Sequence, residues 1–163
     1  MFPRFFFLLV YILFFSCVLS AQPFASYSGN TLILDNGVVK RIVQMDTEKS
    51  GIVSASYALK AGNNEFLYSG SEEFYFEVDG KPVNGIDKWI LNTVKLIDSE
   101  NKGSGAVVIL DHPIMPIQLR ITYLLYPDLP LIRKNIVVQN IGNHKIKIES
   151  LDVESLNFDK SGF

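Results

Sequence analysis

The stretch IQLRITYLL at residues 117–125 decides the fold class of this chain. Apolar side chains occupy every second position from Ile117 to Leu125, while Gln118, Arg120 and Thr122 stand between them. A period of two is typical of a β-strand that buries one face and exposes the other. The stretch therefore predicts a half-buried strand.

Two other segments repeat this alternation. Within residues 53–59, one face is predicted to carry Val53, Ala55, Tyr57 and Leu59. Within residues 73–79, Phe74, Phe76 and Val78 are predicted to point inward, with Glu73, Glu77 and Asp79 outward. Both segments are therefore interpreted as further strands.

Turn sequences separate these runs, among them Asp35-Asn36-Gly37 and Asp79-Gly80. Asn-Gly and Asp-Gly pairs supply the positive φ that tight hairpins need. No window of a dozen residues carries a helical stripe, so about nine or ten strands are expected. The sequence predicts an all-β fold, an antiparallel β-sandwich of supersandwich-like type.

Three local features refine this prediction. Residues 107–110 and 137–138 are apolar on both faces, which indicates central strands covered on both sides. The apolar phase changes at Ser150-Leu151, and a β-bulge there would reconcile the two halves of the strand.

The N-terminus has the order of a secretory signal peptide. Arg4 precedes an uncharged run from Phe5 to Leu19, and small residues lead to a cleavage point after Ala21. An uncleaved anchor and a lipoprotein signal using Cys17 are the alternatives. We expect residues 1–21 to be removed, residues 22–163 to form the β-sandwich domain, and the protein to be secreted or periplasmic in a bacterium.

The mature chain would keep 142 of the 163 residues, which suffices for one domain with a core. It retains 14 Lys and Arg against 17 Asp and Glu, a net charge of −3, because the signal contains only Arg4 among these residues. A mildly acidic domain lacks the excess of positive charge with which proteins bind the phosphates of nucleic acids. The only cysteine, Cys17, leaves with the signal, so the core must stabilise the domain without disulfides.

Residues able to do chemistry are sparse. His112 and His144 are the only histidines, and both are expected in solvent-facing loops. Neither has the spacing of a metal site, and no nucleophile motif or phosphate-binding loop is present. The carboxylates, including Glu72-Glu73 and Glu154, are interpreted as solvated strand faces and turns. We therefore predict no catalytic residue, metal or cofactor in this chain.

Aromatic residues supply the candidate carbohydrate-binding site. Trp89, the only tryptophan, begins a strand, and an indole ring near a rim stacks on the apolar face of a sugar. The alternative is that Trp89 fills the core beside Phe74 and Phe76. Tyr126 and the neighbouring Asp128 complete the candidate set.

Two segments resemble a known family. Residues 32–41, LILDNGVVKR, are similar to the opening strand pair of the N-terminal β-sandwich in large secreted glycoside hydrolases. Residues 126–134, YPDLPLIRK, running on through VVQNIG at 137–142 to IESLD at 148–152, resemble the pattern in melibiase-type α-galactosidases. Mutarotase-like sandwiches share similar strands.

The resemblance implies a non-catalytic domain that supports the catalytic barrel and substrate pocket of a longer enzyme, with carbohydrate and that barrel as its partners. The catalytic aspartates of the family lie in the barrel, so no catalytic residue is carried over. The alternatives left open are a free-standing carbohydrate-binding module, a mutarotase-like epimerase using His112 and His144, and an interaction module without a ligand. A homo-oligomer is a further option.

Overall fold

The computed structural model describes residues 24–46, 51–62, 64–67, 70–98 and 103–158. The predicted signal peptide lies outside these ranges. The described residues form strands and no helix, and therefore contain no helix that could cross a membrane. In chain order the strands are β1 (Ala25–Ser28), β2 (Thr31–Asp35), β3 (Val39–Asp46), β4 (Gly51–Leu59), β5 (Asn64–Glu65), β6 (Ser71–Glu72), β7 (Tyr75–Val78), β8 (Lys81–Asn84), β9 (Ile90–Ile97), β10 (Ser104–Asp111), β11 (Ile117–Leu125), β12 (Ile132–Asn140) and β13 (Ile148–Asp152).

The strands form three antiparallel sheets around a shared core. The largest has the order β1-β2-β3-β4-β5, with β6 also paired to β4. The second has the order β12-β11-β10-β9, and the third has the order β13-β7-β8. Buried apolar side chains from all three sheets belong to a single cluster. The predicted all-β antiparallel fold is confirmed.

The alternation that predicted β11 is confirmed in full. Ile117, Leu119, Ile121, Tyr123 and Leu125 are all buried, and the residues between them are not. β11 pairs with β10 on one side and β12 on the other, so its inner face lies over the middle of the core. Phe74, Phe76 and Val78 are likewise buried, as predicted.

The predicted bulge at Ser150 is confirmed. Pairing of β13 with β7 jumps from Glu149 opposite Glu77 to Asp152 opposite Tyr75, so β13 contains one extra residue. Ser150 has a φ of 48°, a left-handed backbone conformation that such an irregularity accommodates.

The face predicted for residues 53–59 is partly wrong. Ser54 is buried and Ala55 is exposed, whereas Tyr57 and Leu59 pack against the core as predicted. The reason is a bulge in the pairing of β3 with β4, which makes Ala55 the extra residue and shifts the phase of the strand.

One of the two predicted central strands is confirmed and the other is wrong. Residues 107–110 lie in β10, between β9 and β11. Val137 and Val138 lie in β12, an edge strand of its sheet in the described part of the chain, and Val137 is 48% exposed. Val137 is an apolar residue on the outer face of an edge strand. Next to the inward Val138, it gives the same sequence pattern as a strand that is buried on both faces.

Candidate functional site

Two cations interrupt the apolar inner faces of the main sheets. On β3, Arg41 occupies an inward position between Val39 and Val43, and only 1% of it is exposed. On β12, Lys134 lies on the same face as Ile132 and Ile136, and its side chain is 2% exposed. Buried cations must be paired to be tolerated, so the inner faces need an acidic partner here.

Glu73 is that partner, and it is fully buried. Its Oε1 lies 2.9 Å from Arg41 Nη2, and its Oε2 lies 2.7 Å from Lys134 Nζ. The Tyr123 hydroxyl donates to Oε2 at 2.5 Å, and the Ser54 hydroxyl donates to Oε1. Lys134 also donates to the backbone carbonyl of Glu73. One carboxylate thus joins the inner faces of the two larger sheets.

A second carboxylate closes the cluster near the surface. Glu154 accepts two hydrogen bonds from Arg41, from Nη1 and Nη2, both at 2.9 Å. Its Oε2 is 3.6 Å from Lys134 Nζ, and its side chain is 35% exposed. The rings of Tyr57 and Tyr123 lie 5.3 and 5.7 Å from Arg41 Cζ. We call Arg41, Ser54, Glu73, Tyr123, Lys134 and Glu154 the ionic cluster.

The expectation that Glu73 lies on a solvated face is wrong. β7 begins at Tyr75, so Glu73 precedes the strand and does not share its alternation. The sequence carried a signal that was missed: Arg41 and Lys134 each stand in an apolar row of period two. Two inward cations require a buried acid, but the alternation alone could not show which carboxylate meets them.

The charges of the ionic cluster stabilise one another. Burial by itself would raise the pKa of Glu73, but Arg41 and Lys134 outweigh it and lower that pKa to about 2. Burial would likewise lower the pKa of Arg41, and the nearby Glu73 and Glu154 carboxylates raise it instead. Burial and the neighbouring Glu73 both raise the pKa of Tyr123. At neutral pH two cations face two carboxylates, while the tyrosine stays protonated.

This arrangement favours a structural role over chemistry. Among the described residues, every buried side-chain nitrogen and oxygen has a hydrogen-bond partner. Glu73 holds no proton to donate at neutral pH, and none of its surface is exposed. The ionic cluster therefore acts as a polar cross-link between two sheets.

A cleft opens elsewhere, where the loops before β9 and β11 converge. It encloses about 450 Å³ and is lined by Lys81, Pro82, Asp87, Lys88, His112, Pro113, Ile114 and Met115. We call it the His112 cleft. The imidazole Nδ1 accepts the backbone N–H groups of Ile114 and Met115, at 3.2 and 3.0 Å. The ring proton of neutral His112 is therefore on Nε2.

The prediction of two solvent-facing loop histidines is confirmed for His144 and holds only in part for His112, which lies in a loop. His144 is exposed, whereas His112 is half-buried with its ring edge-on to Trp89 at a centroid distance of 5.2 Å. Burial lowers the pKa of His112, and Asp87 opposes that shift. Aromatic packing of this kind is not visible in the sequence, because Trp89 and His112 are 23 residues apart.

Trp89 lies in the core beside Phe74, as the alternative interpretation held. It is 3% exposed, its indole N–H donates to the Asn84 carbonyl at 3.0 Å, and its ring contacts Phe74 at 5.4 Å. Such a ring offers no open face on which a sugar could stack.

Tyr126 and Asp128 lie far from Trp89. Trp89 precedes Ile90, which pairs with Asp111 at one end of β10, whereas Tyr126 follows Leu125 at the other end. Tyr126 is half-buried, and Asp128 is exposed in a turn with a φ of 58°. The structure does not bring the three candidate residues together.

Within the described ranges, no group of three or more His, Cys, Asp or Glu side chains is placed to hold a metal ion. Comparison of the chain with protein-family models, with curated proteins and with solved structures finds no match.

Proposed function

We propose that this chain is a non-catalytic β-sandwich domain of a secreted glycoside hydrolase resembling α-galactosidases, where it supports the catalytic barrel and its substrate pocket. The resemblance rests on residues 32–41 and 126–152, and what supports the proposal is that the fold joins these two segments. Asn36 and Tyr126 are 90 residues apart in sequence, and a hydrogen bond from the Asn36 side chain connects them.

The first contact is made by Asn36, in the turn between β2 and β3. Its Nδ2 donates to the backbone carbonyls of Tyr126 and Leu129, both at 2.7 Å. Its Oδ1 accepts the N–H groups of Val38 and Val39. One amide thus fixes its own turn and the loop after β11.

The second contact is the ionic cluster. Arg41, at the end of the first segment, and Lys134, in the second, share the carboxylate of Glu73. The two segments that carry the resemblance therefore form one connected unit, joined by Asn36 at a turn and by the ionic cluster in the core. This junction is the observation that carries the proposal.

The loop that Asn36 holds also provides a surface for a barrel. Leu129 and Leu131 are about half exposed on it. Exposed apolar side chains on a fixed backbone are suited to an interface between domains, because little conformational entropy is lost on docking.

The first test is the reading frame beyond Phe163 in the source DNA. Continuation into several hundred residues with alternating strands and helices, and with acidic residues at strand ends, is the expected result. A stop codon directly after Phe163 would overturn the proposal for this chain.

N-terminal sequencing of the exported protein should start at Gln22, and a retained Met1 would contradict secretion by cleavage.

The second test uses the full-length enzyme. Leu129→Ser with Leu131→Ser should lower its thermal stability and its activity on an α-galactoside, because the contact with the barrel is weakened. Leu96→Ser is the matched control, since Leu96 is also exposed but lies on β9. Equal effects of the control and the double variant would mean that this loop is not the interface.

A further inference from the structure

The His112 cleft is built from the start of strand β8 and from the two loops before β9 and β11. Lys81 begins β8, Asp87 and Lys88 lie between β8 and β9, and His112 starts the connection from β10 to β11. Its volume of about 450 Å³ falls within the range of small-molecule sites. Neither the ionic cluster nor the proposed barrel interface uses these residues.

The cleft is positive although the chain is acidic. Lys81 and Lys88 bring two exposed ammonium groups, and Asp87 brings one carboxylate. Asp87 already accepts the backbone N–H of Asn84 at 2.8 Å. Glu77, across the strand pair from Pro82, accepts the Tyr75 hydroxyl at 3.0 Å. Since His112 is neutral, the lining has a net charge of +1, which matches a monoanion.

The remaining walls are apolar. Pro82, Pro113, Ile114 and Met115 line the cleft, and Ile114 is 88% exposed. An isoleucine that projects so far into water gains contact area when a ligand with an apolar face lies against it. The His112 ring is fixed by its Nδ1 hydrogen bonds, so its Nε2–H is the donor left for a ligand oxygen.

We propose that the His112 cleft binds a small carboxylate of monosaccharide size, a sugar acid. The ammonium groups of Lys81 and Lys88 attract the carboxylate, His112 Nε2–H donates to a ligand oxygen, and the apolar walls take the C–H face of the ring. The preference for an anion rests on the cleft alone, whereas the choice of a sugar rests on the proposed function.

The protein contains its own reporter of binding. Trp89 is the only tryptophan, and its ring centroid lies 5.2 Å from that of His112, which lines the cleft. A ligand on His112 changes the surroundings of that indole, and tryptophan emission therefore follows occupancy.

The experiment titrates the purified protein with galacturonate and follows Trp89 emission, with calorimetry as a second readout. We expect saturable binding in the millimolar range, and galactose, which lacks the carboxylate, should bind about tenfold more weakly. Inorganic phosphate should also bind more weakly, since it has no apolar face. No saturation by galacturonate, or equal binding of galactose or phosphate, would overturn the proposal.

Variants assign the binding to the cleft. Lys81→Gln with Lys88→Gln should weaken galacturonate binding about tenfold, and both lysines are exposed, so the fold is not at risk. Lys95→Gln, an exposed lysine on β9 outside the cleft, is the matched control and should change affinity less than about twofold. An equal loss in the control would overturn the site. A reading frame that continues into a barrel, together with no galacturonate binding, would overturn this inference and leave the proposed function standing.

Discussion

β11 and β12 are paired over nine residues, yet they differ in which side chains they place on the inner face of the sheet. All five inward residues of β11 are buried, and four of them are aliphatic, while Tyr123 adds one hydroxyl that donates to Glu73. β12 instead places Lys134 inward and leaves Val137 half exposed on its outer face. β11 is covered by strands on both edges, whereas β12 has one free edge in the described part of the chain. Within this sheet the binary pattern therefore describes the central strand β11 and fails for the edge strand β12, although Arg41 shows that a central strand of the largest sheet also buries a charge.

The inward charge of β12 is tolerated because it is paired. The side chain of Lys134 is only 2% exposed, and a charge buried to that extent would be strongly destabilising without an acidic partner. Glu73 supplies that partner at 2.7 Å. We expect the ionic cluster to contribute specificity of packing between the two larger sheets, while β11 contributes the apolar burial that stabilises the fold.

The largest expected effect comes from removing the central acid. Glu73→Gln keeps the size of the side chain but leaves Arg41 and Lys134 buried with only the half-exposed Glu154. We expect the free energy of unfolding in urea to fall by about 3–5 kcal/mol. Glu149→Gln, in the exposed pair with Lys147, is the control and should cost less than about 0.5 kcal/mol.

A triple variant separates charge from packing in this test. Arg41→Met, Glu73→Leu and Lys134→Met together replace the buried ions by apolar side chains of similar size. If unpaired charge is what destabilises Glu73→Gln, the triple variant should recover most of the lost stability. A triple variant no more stable than Glu73→Gln would show that the hydrogen-bond network itself is required.

The second effect probes the apolar strand. Leu119→Ala in β11 removes a fully buried side chain from the middle of the core. We expect a loss of about 3 kcal/mol in urea unfolding, from lost burial and the cavity that remains. Gln118→Ala, an adjacent position on the outer face, serves as control. A loss at Leu119 under about 1 kcal/mol would mean that the two sheets close on the cavity.

The sequence was sufficient where local rules decide the structure. Alternation located β11 and the inward residues 74, 76 and 78, and the change of phase located the bulge at Ser150. It was insufficient where distant residues decide. Burial of Glu73 depends on Arg41 in β3 and Lys134 in β12, and the His112 cleft depends on loops far apart in the chain. Such contacts have no period along the sequence.

The third effect is a dependence of stability on acid, which arises from the buried carboxylate of Glu73. The pKa of Glu73 is about 2 in the folded protein against an ordinary value of 4.5. Because the folded pKa is lowered, Glu73 contributes stability above pH 4.5 and loses it as the pH falls towards 2. We expect roughly 2 kcal/mol of stability to disappear between about pH 5 and pH 3.

Urea unfolding at several pH values measures this loss. Leu119→Ala should lose stability in parallel with the parent, because it removes no titrating group. Glu73→Gln should be much less sensitive to acid in this window. A Glu73→Gln curve parallel to that of the parent would assign the acid sensitivity to other carboxylates.

The smallest effect tests the outer face of β12. Val137→Thr keeps a β-branched side chain at a half-exposed position opposite Arg120. A threonine at this site loses little burial and fits a strand equally well, so stability should change by less than about 0.5 kcal/mol. Val108→Thr is the contrast, because Val108 is fully buried in β10 and its hydroxyl would enter the core. If Val137→Thr destabilised the protein as much as Val108→Thr, the outer face of β12 would be covered in solution.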